Sequence, residues 1–148
     1  MSNIAGSAAL CALAISVLAS AVQAQETTGD LVSMNAKKLG KDDLSSLLGG
    51  AMIEYVSARG IKYHYEQKAD GSLYGHASGF QNFNGFSEGK GNWRVSEGGE
   101  YCIDSVWGHS APYNNKWCGV VYQAGNRYFL TYPGHPEAKP LKLSIEKS

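Results

Sequence analysis

The chain has 148 residues, with 13 Lys and Arg against 13 Asp and Glu and a formal net charge of zero. A balanced charge with no cluster of either sign leaves no electrostatic footprint for nucleic acid or anionic lipid. This length supports one core, and so one domain.

No charged side chain precedes Glu26. Ala8 to Ala21 is an apolar run followed by Val22-Gln23-Ala24, with small residues at the −3 and −1 positions that signal peptidase reads. The run is shorter than the about 20 apolar residues a transmembrane helix needs. We therefore expect a signal peptide over residues 1–24, with a buried N-terminal helix as the alternative. Cleavage would discard Cys11 and leave Cys102 and Cys118, in an exported chain most simply a disulfide. No stable membrane anchor is expected after cleavage, and the compartment is periplasmic or extracellular.

Residues 25–40 are polar and unpatterned and read as a flexible leader, so the domain spans 41–148. Leu44, Leu47 and Leu48 share one helical face, with Asp42 and Asp43 in the first turn and Gly49-Gly50 as the stop. No other segment reads as helix. Short alternating runs then follow: Met52 to Ser57, Ile61 to Gln67, Ser72 to Ser78 and Asn92 to Ser96, then Tyr101 to Trp107, Lys116 to Gln123, Arg127 to Tyr132 and Leu141 to Glu146. They are rich in Tyr, Trp, Val and Ile and are separated by glycine, asparagine, aspartate or proline turns. The fold class is mainly β. We expect an antiparallel up-and-down meander of about eight strands, curled into a small barrel or half-barrel, with the one short helix packed on it.

If Cys102 faces Cys118 across a hairpin, Asp104 meets Lys116, Ile103 meets Trp117 and Trp107 meets Tyr113. One assumption thus yields a charge pair and two aromatic pairs. Tyr101, Ile103, Ser105, Trp107, Trp117, Gly119 and Val121 then share the inner face. The disulfide lies outside with Val106, Val120 and Tyr122, where the leucine helix is the expected cover.

His64 and His76 flank Ala69-Asp70-Gly71. A three-residue turn with a glycine bulge makes them direct neighbours, whereas a two-residue turn sets Tyr65 against His76. Two imidazoles could begin a transition-metal site, but spacing shows no third ligand, and no cofactor is expected. Tyr101, Trp107, Trp117 and Phe83 are the candidates for contacting a ligand. Phe83 belongs to the Phe80–Phe86 stretch, which would be a lip over the barrel mouth or a plug in it. No Gly-x-Ser-x-Gly, His-Glu-x-x-His, Cys-x-x-Cys or phosphate-binding glycine loop occurs, and no catalytic residue is assigned.

Several features recur together: the Leu44 to Gly50 helix and stop, Tyr65, and Ala69-Asp70-Gly71-Ser72-Leu73-Tyr74-Gly75. Gly91-Asn92-Trp93-Arg94-Val95, Tyr101-Cys102 and Trp117-Cys118 complete the set. Over about Lys41 to Tyr132 the chain resembles a family of small exported proteobacterial proteins catalogued only as a domain of unknown function. The resemblance implies an exported compartment and this domain extent, and lends no activity. The expected role is a monomeric, non-catalytic β module binding a small molecule or an envelope partner. The alternatives are an inhibitor or interaction module of the envelope, or a hydrolase of unrecognised type.

Overall fold

The computed structural model describes residues 27–79, 86–108 and 113–147. The expected signal peptide, Phe83 and His109 lie outside these residues. The strands are β1 (Lys37–Lys38), β2 (Ala51–Val56), β3 (Lys62–Gln67), β4 (Ser72–Ser78) and β5 (Phe86–Val95), followed by β6 (Glu100–Trp107), β7 (Tyr113–Ala124), β8 (Arg127–Thr131) and β9 (Leu141–Lys147). Each of β2 to β9 pairs antiparallel with its neighbour in sequence, and β9 returns to β2, pairing Ile53 with Ile145. The meander is therefore a closed eight-strand barrel rather than a half-barrel, with β1 added beside β7.

The expected β6–β7 register is present: Cys102 lies opposite Cys118, Asp104 opposite Lys116, Ile103 opposite Trp117 and Trp107 opposite Tyr113. Cys102 and Cys118 form a disulfide. Tyr101, Ile103, Ser105, Trp107 and Val121 are buried on the inner face as expected, and Trp117 is half-buried. Around Asp70-Gly71 the wider turn wins: Gly71 has φ +88°, where a side chain is disfavoured, and His64 lies opposite His76.

Four expectations change. The leader stretch carries α1 (Thr28–Ser33), closed by a capping box between Thr27 and Asp30, with Leu31 buried. Only six residues long and with one buried leucine, it has no periodicity for a sequence reading to find. Second, β5 begins at Phe86, six residues before the expected start at Asn92. Gly89 and Gly91 hide the strand pattern because the barrel needs them: a Cβ on Gly89 would sit 2.5 Å from the Trp107 indole. Third, β7 is longer than expected, starting at Tyr113.

The fourth concerns the leucine helix, α2 (Lys41–Leu48). It packs against β2, β5 and β9, not over the disulfide face, where Val106 stays 48% exposed. Leu44 and Leu48 join the core with Ala51, Ile53, Trp93 and Tyr101, so α2 plugs the lower end of the barrel. Its C-terminal carbonyls accept hydrogen bonds from Lys147 Nζ on β9, at Ser46 O (2.6 Å) and Gly49 O (2.7 Å), which suits the negative end of the helix dipole.

Candidate functional site

Inside the barrel, alternation along β2, β3, β6 and β7 sends Tyr55, Tyr63, Tyr65, Tyr101, Trp107 and Trp117 inward. Tyr55 stacks on Tyr63 at 5.1 Å, Trp107 meets Tyr63 and Tyr65 edge-on at 5.4 and 5.8 Å, and Trp117 meets Tyr101 edge-on at 5.2 Å. These are offset or edge-to-face contacts, the arrangements that ring quadrupoles favour. Tyr65, Tyr101 and Trp107 have no accessible surface, either toward solvent or toward an internal void. The polar tips are partnered within the core: Trp107 Nε1 donates to Ser105 Oγ at 2.9 Å, and the Gln67 amide bonds the Tyr101 hydroxyl. Burial pushes the Tyr55 and Tyr101 phenols far above their ordinary range, so neither ionises near neutrality.

Of the residues singled out as ligand contacts, Tyr101 and Trp107 are therefore core. Trp117 keeps partial exposure at the upper seam, beside Tyr132 at 6.1 Å. Phe83 lies outside the described residues.

The outer wall carries what the sequence reading only half found. His64 and His76 are neighbours, and the next strand on either side adds a carboxylate: Glu54 lies opposite His64, and Glu88 opposite His76. A row Glu54–His64–His76–Glu88 thus crosses four strands on one face. His64 Nδ1 lies 2.9 Å from Glu54 Oε1, and the two imidazole centroids are 6.3 Å apart. The hydrogen bond with His64, and then that with Lys62, hold the Glu54 carboxyl below its usual range. Glu54 and Glu88 went unnoticed because their alignment depends on the β2–β3 and β4–β5 registers, which no cysteine or tight-turn motif fixes. Among the described residues no group of three or more His, Cys, Asp or Glu side chains is placed to hold a metal ion.

Two surface grooves lie along the outer wall. One, of about 450 Å³, runs along the outer face of β5 to β7 beside the disulfide, with Lys90, Arg94, Asp104 and Lys116 on its walls. The other, of about 560 Å³, opens where β2 and β8 part around β9, between Glu54, Lys62, Arg127 and Lys142. Both are surface grooves with charged side chains on their walls, unlike the enclosed apolar pockets that hold small organic ligands. No protein-family model, curated protein or solved structure matches the chain.

Proposed function

We propose that this chain is an exported, non-catalytic binding module that engages a macromolecular partner of the cell envelope through the outside of its barrel. One observation carries the reading: Tyr65, Tyr101 and Trp107, at the barrel centre, are fully buried, and none of the three borders a space that admits water. A ligand could enter there only by displacing close-packed side chains, which interiors resist. Recognition therefore falls to the wall and the upper rim.

Two further observations support the remaining parts of the proposal. Cys102, nearly buried, and Cys118 are joined as a disulfide, which suits an oxidising compartment and agrees with the apolar N-terminus. Several groups that could act as nucleophiles or bases are engaged elsewhere: Cys102 and Cys118 with each other, the Tyr101 phenol in the core, and the His64 imidazole with Glu54. An inhibitor would be one kind of such a module.

Native mass spectrometry of the protein isolated from the envelope of its own cells tests the reading. A stoichiometric complex with a macromolecule is the expected result. A retained small molecule or metal ion, at one per chain, would overturn it.

A further inference from the structure

We propose that the upper edge of β7 docks an extended segment of a partner protein as an added strand, with an acidic residue of that segment facing Lys116. The proposal rests on the reading of the chain as a module for a macromolecular partner and names the surface that would serve it. β7 has 12 residues, and β6 accompanies Tyr113 to Val120 along one edge. On the opposite edge β8 accompanies only Val120 to Ala124. Among the described residues nothing pairs with that edge from Tyr113 to Gly119.

The cause lies in the sequence. Continued past Thr131, β8 would bring Pro133 opposite Cys118. Proline has no N–H to give a ladder. The chain instead turns away at Pro133-Gly134, where Gly134 has φ +84°. The return to β9 carries Pro136 and Pro140 as well, and forms no strand. Closed barrels remove strand edges. Among its described residues, this one leaves an edge open.

Which groups face the opening follows from the ladder. Antiparallel pairs alternate between residues that exchange both backbone hydrogen bonds, with Cα atoms about 5.5 Å apart, and residues that exchange none, at about 4.5 Å. Cys102 and Cys118 have Cα atoms 4.0 Å apart, which marks a pair of the second kind. The backbone N–H and C=O of Cys118 therefore point away from β6, and by alternation so do those of Lys116 and Asn114. Two other bonds agree. Leu39 N–H donates to Val121 O from the β6 side of β7, and Ser105 Oγ donates to Asn115 O, so odd-numbered carbonyls face β6. Among the described residues, three N–H and three C=O groups are thus left for a partner strand.

The side chains specify that strand. Trp117 lies inward and half-buried against Tyr132, so an added strand gains by placing apolar residues on that face. Lys116 lies outward, 72% exposed, and its contact with Asp104 at 2.9 Å can be shared with a second carboxylate. Edge lysines also discourage indiscriminate pairing. Two copies of this edge, aligned to use all three open residues, would set Lys116 against Lys116, which disfavours self-association. The occupant that fits is an extended peptide of alternating apolar and polar residues with an acidic residue at its centre, captured by strand addition.

The probe is a capped heptapeptide of alternating valine and threonine with its central threonine replaced by glutamate, added to the disulfide-intact protein. Amide hydrogen exchange followed by NMR should show Asn114, Lys116 and Cys118 exchanging readily in the free protein and slowed by the peptide, with Asn115 and Trp117 protected throughout. Lys116→Glu should weaken the glutamate peptide by about tenfold and favour a lysine-centred counterpart. N-methylation of the glutamate amide should abolish binding. Slow exchange of the three amides in the free protein, or no protection of them at about millimolar peptide, would overturn the proposal. So would binding that ignores both the charge reversal and the N-methyl group. A natural partner that binds without protecting these amides would remove this edge yet leave the functional reading intact, whereas a retained small molecule would remove that reading itself.

Discussion

Glu54 sits between His64 and Lys62 on the outer wall, with His64 Nδ1 at 2.9 Å and Lys62 Nζ at 3.1 Å. The contact with His64 is the larger cause of its lowered pKa. The group is partly exposed, so the pair falls among surface ion pairs whose net worth is small. Its sign is nevertheless fixed. A carboxyl whose folded pKa lies below its unfolded value stabilises the fold above the ordinary carboxylate range, and that contribution is lost as pH falls through the lowered value. Replacing His64 with alanine should therefore move the Glu54 titration upward toward the ordinary range and shrink the acid-side loss of stability. A carboxyl-carbon NMR titration measures this directly, and an unmoved Glu54 midpoint would remove the pairing. Adjacency of the two histidines was one of the two registers that the Asp70-Gly71 turn allowed. The carboxylates flanking them were not legible, since each belongs to a strand whose partner is chosen by the barrel as a whole.

Among the elements, the β6–β7 hairpin owes most to a covalent constraint. The disulfide joins residues 16 apart in sequence, and closing a loop of that size removes denatured-state entropy worth about 3 kcal/mol. Reduction under native conditions should lower the urea midpoint by a corresponding amount, with little change in the slope. An unchanged midpoint would mean that the hairpin holds without it. This hairpin was readable from the sequence because two cysteines fixed its register and every pair beyond followed by alternation. The α2 helix was readable too, from its leucine spacing. Its seat was not, because the two faces of β6–β7 both look apolar in sequence. Closure of the barrel left an open end to be plugged by Leu44 and Leu48, while the outer face stayed wet at Val106. The start of β5 was illegible for a different reason. Strand patterns are read from side chains, and Gly89 and Gly91 have none precisely where Trp107 and the β6 backbone crowd in.

At the level of the whole molecule, all strand pairings that close the barrel but one are between strands adjacent in sequence. The exception is β2 with β9, where Ala51 meets Lys147 and Met52 meets Glu146. Seven hairpin pairings can form with modest loop-closure entropy, while the β2–β9 seam must join segments near opposite ends of the domain. Such non-local pairing is slow to be rewarded, which places barrels of this kind among domains folding in milliseconds to seconds. The seam should accordingly be absent from the transition state and the stapled hairpin largely present. Leu143 on β9 and Ile103 on β6 are both buried, at 3% and 1% exposure, and separate the two regions. Leu143→Ala should destabilise by about 2–5 kcal/mol and Ile103→Val by about 1 kcal/mol. In stopped-flow chevron experiments on the oxidised protein, the first change should speed unfolding with little effect on refolding. The second should act mainly by slowing refolding. Were Leu143→Ala instead to slow refolding in proportion to its cost, β9 would already be docked at the barrier. The meander would then close early, and its hairpins would consolidate within a ring already formed.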